Sequence, residues 1–296
     1  PAPERSVPLF SLRRVWTLAI STLTQLVRMK TFYFLLAFAL LLLAIGNFNF
    51  ASSPVQALST VKKVSFGAMD LFAWLFAIVA TALLIPRDIE DRTLYTILSK
   101  PVRRIEYLLG KLCGVLIVIG ISLIVMFLVC ALMLQWKEMG YIADEIGDPS
   151  QPIPEDTKQA ILLIQKNGFH LGLIFATLAS FMKAAVVASV TILLSTFASS
   201  SLFTIIISVL VFLFGHAHTM ATNFWLAETD NSILAQILLK ILKIVIPNYQ
   251  IVSFSEGIVQ GAAVVPGVIW QMSGLACVYL GVFLLLSLLA FVDKEF

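Results

Sequence analysis

The stretch Leu112–Leu134, LCGVLIVIGISLIVMFLVCALML, carries no charged residue from end to end. A helix needs about 20 apolar residues to cross ~30 Å of hydrocarbon, and this run supplies them. Working outward, five more apolar runs follow the same logic. They are Phe32–Phe48, Ser65–Ile85, Leu171–Leu194, Leu202–Phe214 with an extension toward His218, and the run from Pro266 to Val292. Pro86 is expected to end the second, since proline breaks a helix interior. The expected fold is an all-α integral membrane protein with six transmembrane helices. Residues 1–296 read as one membrane domain, because the polar segments are too short for a second core.

Composition agrees. Hydrophobic residues make up 59% of the 296 and charged residues 12%, against about 25% charged in soluble domains. This excludes a soluble enzyme. The Lys and Arg form no stripe suited to nucleic acid. Cys113, Cys130 and Cys277 lie in or beside apolar runs and read as small buried hydrophobes, without the spacing of a disulfide framework or metal site. About thirty residues precede the first apolar run, unlike a signal peptide, so the first span is expected to be retained.

Residues 11–30 form the next element. Val15, Leu18, Ala19, Leu23, Leu26 and Val27 recur at helical spacing, with Arg13, Arg14, Arg28 and Trp16 beside them. This predicts an amphipathic helix on the membrane surface. Near the other end, Ser232–Ile246 is apolar but short, with Lys240 and Lys243 on one face. It reads as an external re-entrant or interfacial helix ahead of the last span. If it crossed, the C-terminus would change sides.

With the N-terminus placed in the cytoplasm, the inner segments hold twelve Lys and Arg and the outer segments seven, Lys62 and Lys63 among the latter. That bias predicts cytoplasmic N- and C-termini. Residues 135–170 then form an external loop or small external region rich in acids and prolines.

The densest charge lies in the inner loop 87–111. Asp88, Glu90 and Asp91 are expected in the first turn of a short helix, where the dipole favours acids. Leu94, Ile97 and Leu98 form its apolar stripe, and Pro101 stops it. Such a helix, held between two spans, can seat in a groove of a soluble partner, or it can be an ordinary solvated loop.

This segment resembles the loop after the second span in permeases of the type-2 ABC exporter family. Glu90, Asp91, Thr93, Leu94, Ile97, Leu98, Ser99, Lys100, Pro101, Val102, Arg104, Tyr107, Leu108, Gly110 and Lys111 fit the family pattern in order. Arg92 stands at the family's glycine position, a departure that bears on local helix geometry and partner contacts. The surface helix before a Phe-rich span, the Ser-rich turn Ser195–Ser201, and Ile246-Pro247-Asn248-Tyr249 before the last span are similar too. The resemblance implies a permease of a prokaryotic inner membrane, paired with a second permease subunit as a homo- or heterodimer and surrounded by lipid. It implies export driven by a separate cytoplasmic ATPase, with ATP and Mg held there and no cofactor here. Glu90, Asp91, Arg92, Leu94, Tyr95, Ile97, Leu98 and Pro101 would form the coupling helix to that ATPase. The sequence contains no Gly-x-x-x-x-Gly-Lys-Ser/Thr phosphate loop. A scaffold of the same fold that transports nothing, and a membrane-embedded enzyme, are the alternatives.

Two charges stand inside expected spans. Lys183 lies roughly 18 Å from the inner end of its span at 1.5 Å per residue. It is a candidate pathway or helix-locking charge, unless the span boundary lies elsewhere. Asp70, near an outer end, reads as an exposed interfacial acid that could pair with Lys62 or Lys63, with a pathway or helix-locking charge as the alternative. His216 and His218 are two apart, so they face differently and suit no shared metal. Thr81, Ser122, Ser189 and Ser208 are expected to bond backbone carbonyls. Gly267, Gly274 and Gly281 repeat every seven residues and mark a packing face, within the subunit or between subunits. Gly110 and Gly114 repeat at four.

Overall fold

A computed structural model describes residues 10–46, 48, 53–90, 103–146, 154–198, 200–228, 247, 249, 255–259 and 266–292. Among these the regular structure is entirely helical: α1 Leu12–Val27, α2 Lys30–Ile45, α3 Pro54–Glu90, α4 Arg104–Ile146, α5 Glu155–Asn167, α6 Gly172–Phe197, α7 Ser201–Glu228, α8 Ser255–Val259 and α9 Pro266–Val292. The all-α membrane architecture therefore holds.

The count of six spans is not reached by length and composition. Among the described residues, four helical stretches are long and apolar enough to cross, beginning at Pro54, Arg104, Glu155 and Gly267. A fifth is added if α1 and α2, bent by 69° at their junction, make one span. The 16 residues of α2 rise only about 24 Å, short of the hydrocarbon thickness. The apolar part of α7, Ser201–Ala217, is also short.

Helix ends differ from the apolar runs because hydrogen bonding, not hydropathy, sets them. α3 begins at Pro54 and continues through Pro86 to Glu90. Pro86 thus does not end the helix. Proline removes one N–H bond, a loss that packed membrane helices accommodate. α4 is 43 residues long, about 64 Å. It overruns ~30 Å of hydrocarbon, so Trp136 and Lys137 lie within it. The segment expected as an external loop is thus largely helix, the end of α4 and then α5. Ser232–Ile246 lies outside the described residues.

α3 and α6 form the centre. Both helices bury small residues: Ala73, Ala77 and Ala80 on α3, and Ala176, Ala184, Ala188 and Ser189 on α6. Small side chains let membrane helices approach closely. α8 seats Ile258 and Val259 in the same core. Gly215 of α7 lies against the Pro247 carbonyl oxygen and the Tyr249 ring, where a Cβ would stand 2.6 Å from either. At the α4–α5–α6 end, the Glu138 carboxylate accepts the Phe169 backbone N–H at 3.0 Å.

α1 packs lengthwise on the start of α4. Gly110 receives Leu18 and Gly114 receives Thr22; a Cβ on either would come within 2.6 Å of that neighbour's Cβ. With Arg14 beside Glu106, the pairs 14/106, 18/110 and 22/114 show the two helices running in the same direction. The four-residue glycine repeat is thus the seat of the amphipathic helix.

Gly267, Gly274 and Gly281 stand differently. Nothing lies within 4 Å of a Cβ built on any of them, so they face away from the rest of the described chain. Cys130 is buried, Cys113 half-buried and Cys277 exposed on α9, which corrects the reading of all three as interior.

Candidate functional site: the clamped loop and the intramembrane ion pair

Residues 91–102, with Asp91, Arg92, Leu94, Tyr95, Ile97, Leu98 and Pro101, lie outside the described residues. Glu90 ends α3, and its side chain lies outside the description as well. What the structure gives is the mounting on either side of this loop.

On the leading side, Asp88 belongs to the last turn of α3, not to the first turn of a new helix. A carboxylate there opposes the helix dipole, so it needs a cation. Lys111 of α4 supplies one, with Nζ 2.7 Å from Oδ2. The Tyr107 hydroxyl donates to the same oxygen at 2.6 Å. Lys111 also donates to the Gln25 side-chain oxygen of α1 at 3.2 Å and stands 5.7 Å from the Tyr107 ring centroid. The Lys111 and Asp88 side chains are only 7% and 6% exposed, so each neutralises a charge that water does not reach.

On the trailing side, Glu106 has a fully buried side chain. Its Oε2 accepts the Arg103 N–H at 3.1 Å. Its Oε1 accepts the Ser11 N–H at 2.7 Å and the Arg14 Nη2 at 3.0 Å. Both arms of the loop are thus fastened to α4, and both fastenings reach α1.

Sequence reasoning passed over Glu106, Gln25 and Tyr107 as polar contacts and gave Asp88 another role. One signal was present: Glu106 lies three residues after Arg103, just past Pro101, which is the spacing of a capping box.

The second feature lies inside the spans. Lys183 Nζ of α6 is 2.9 Å from Asp70 Oδ2 of α3. Asp70 therefore pairs with Lys183 and not with Lys62 or Lys63. Lys62 is itself buried within α3, because α3 starts well before the apolar run that marked it. The Lys183 side chain is 3% exposed and the Asp70 side chain 28%, so the ammonium is enclosed by protein while the carboxylate stays partly open. Its Nζ also sits 5.5 Å from the Phe212 ring centroid of α7, within cation–π range. Phe212 stacks on Trp74 at 4.2 Å and contacts His216 at 5.9 Å and Tyr249 at 5.3 Å. The ion pair and aromatic cluster thus join α3, α6 and α7.

The hydroxyls divide. Thr81 donates to Ala77 O at 2.6 Å and Ser189 to Val186 O at 2.7 Å, as expected. Ser208 is buried with no partner among the described residues. Among the described residues no three His, Cys, Asp or Glu gather as a metal site.

A helical chain with several apolar spans, and with buried ion pairs on either side of residues 91–102, is a membrane component. Residues 11–296 match the family model described as ABC-2 family transporter protein, and the chain belongs to that family. It is thus a permease component of an ABC transporter, a class that works with an ATPase subunit. A comparison with curated proteins finds no match.

Proposed function

We propose that the chain is the permease of an exporter in a prokaryotic inner membrane. It pairs with a second permease subunit, and a separate ATPase holding ATP and Mg drives it. The ATPase docks on residues 90–101, with Leu94, Tyr95, Ile97 and Leu98 as the apolar contact. Both termini are cytoplasmic, and no cofactor is bound on this chain. The observation carrying this reading is the double clamp: Asp88–Lys111 before the loop and Glu106 with Ser11, Arg14 and Arg103 after it. A loop so mounted transmits force to α3, α4 and α1 in place of absorbing it. Lys183 and Asp70 act in this reading as the lock between α3 and α6.

The test is co-expression with an ATPase subunit encoded beside this chain and purification through a tag on the permease. The ATPase is expected to co-purify, and Leu94→Asp or Tyr95→Asp to release it while the permease stays folded in the membrane. A permease that never retains an ATPase overturns the proposal.

A further inference from the structure

Glu106 occupies an unusual electrostatic position. It is the third residue of α4 and reaches back to the N–H of Arg103, the residue before that helix, as the acid of a capping box does. Its other oxygen takes the N–H of Ser11, the residue from which α1 starts, and the guanidinium of Arg14 in the first turn of α1. One carboxylate therefore serves the N-termini of two helices.

Those helices run in the same direction, so their N-termini lie together. Each end carries about half a positive charge from aligned peptide dipoles. Side by side and away from water, two such ends repel. A full negative charge between them reverses the sign of that interaction, and the bonds it accepts are of the strong, charge-assisted kind. Neither helix has another acid in its first turn.

We propose that Glu106 is a positioning residue that joins the trailing arm of the loop to the N-terminus of α1, so that α1 moves with the loop. The role of that movement rests on the ATPase reading above; the joint itself does not.

Hydrogen–deuterium exchange on the purified full chain in lipid nanodiscs tests the joint without any ATPase. Glu106→Gln keeps the length but offers one acceptor oxygen and no charge. Exchange is expected to rise about tenfold or more in peptides covering both 11–18 and 103–108, and to stay unchanged in 122–134. A rise confined to 103–108 would mean an ordinary capping residue and would overturn the proposal. If Glu106→Gln does not fold, Glu106→Asp, one methylene shorter, is expected to protect one segment and release the other. Full protection of both in Glu106→Asp counts against the joint. The exchange Arg14→Glu with Glu106→Arg is expected not to restore protection in 103–108, because the Arg103 N–H then lacks an acceptor, whereas the new carboxylate of Arg14→Glu lies three residues after Ser11 and can take its N–H. Restoration would reduce the site to a simple ion pair and sink the idea. Failure of the ATPase reading appears separately, as loss of co-purification, and leaves these exchange results intact.

Discussion

At position 183 a lysine carries its charge among helices, and the two partners of its ion pair are not equivalent. Lys183 is almost sealed, whereas Asp70 keeps 28% of its side chain open. Removing one partner of a buried pair costs about 3–5 kcal/mol, because the other charge is left uncompensated. The residue left behind decides the size. Asp70→Asn strands the sealed ammonium, so its cost is expected at about 3 kcal/mol or more. Lys183→Met leaves a carboxylate that can reach water, so its cost is expected to be smaller. The double variant is expected to recover part of the Asp70→Asn loss. Thermal unfolding of the three proteins in detergent micelles checks the order, and a larger loss for Lys183→Met would contradict it. The sequence exposed that Lys183 was an anomaly, because a charge in an apolar run is visible. It could not show the partner, since Asp70 lies 113 residues away and nearer lysines competed for it. A similar pair of variants separates the loop clamps. Lys111→Met takes its ammonium partner from the buried Asp88 carboxylate, and is expected to destabilise the packing of α3 on α4, by up to about 3 kcal/mol. Asp88→Asn with Lys111→Met together should restore part of it, read by the same unfolding measurement.

Among the elements, α1 shows where sequence patterning succeeds and where it stops. Its period of 3.6 marked an apolar face correctly, and Val15, Ala19 and Leu26 are buried. Periodicity says that a face is covered, not by what. The cover is α4, through Gly110 and Gly114, and only the geometry of both helices reveals it. α3 shows the converse: Pro86 and the end of the apolar run both pointed to a stop, yet tertiary contacts at Asp88 carry the helix one turn further. The pattern at 90–111 carried the family resemblance, which the family match bears out, but the mounting of the loop on Asp88 and Glu106 was not legible. The glycine seat gives a direct prediction. At Gly114 a Cβ would stand 2.6 Å from Thr22 Cβ and 2.8 Å from the Ala19 carbonyl oxygen, and a backbone atom cannot swing aside. Gly114→Ala is therefore expected to cost about 1–3 kcal/mol by overpacking and to loosen α1. Gly274→Ala, where nothing lies within 4 Å, is expected to leave the isolated chain unchanged. Protease accessibility of α1, alongside unfolding, distinguishes the two. Equal effects at both positions would refute the seat.

For the whole molecule the contacts fix which groups share an end, so that placing one group on a side of the membrane places the others. Arg14, Asp88, Glu106 and Lys111 meet at one end of the α3–α4 hairpin. Glu138 and Phe169 meet at the other, beside α5. The charge bias that set the N-terminus inside counted Lys62 as an outer charge. Lys62 and Lys111, counted on opposite sides, are both buried, so burial leaves the difference between the two counts unchanged. In the reading with the N-terminus inside, the four clamp residues share the cytoplasmic side with α1 and α5 is external. Labelling tests this in intact cells. With Cys113, Cys130 and Cys277 replaced by Ala or Ser, single cysteines are placed at Arg13 and Lys158, both of which are exposed. A membrane-impermeant maleimide is expected to label Lys158→Cys from outside and to reach Arg13→Cys only after permeabilisation. The reverse pattern would invert the molecule and place the clamped loop out of reach of any cytoplasmic ATPase. Labelling of both positions without permeabilisation would break the link between α1 and the inner end of α4. The two sites report on opposite ends of one hairpin, so a single experiment checks both the orientation and the internal consistency of the contacts that define it.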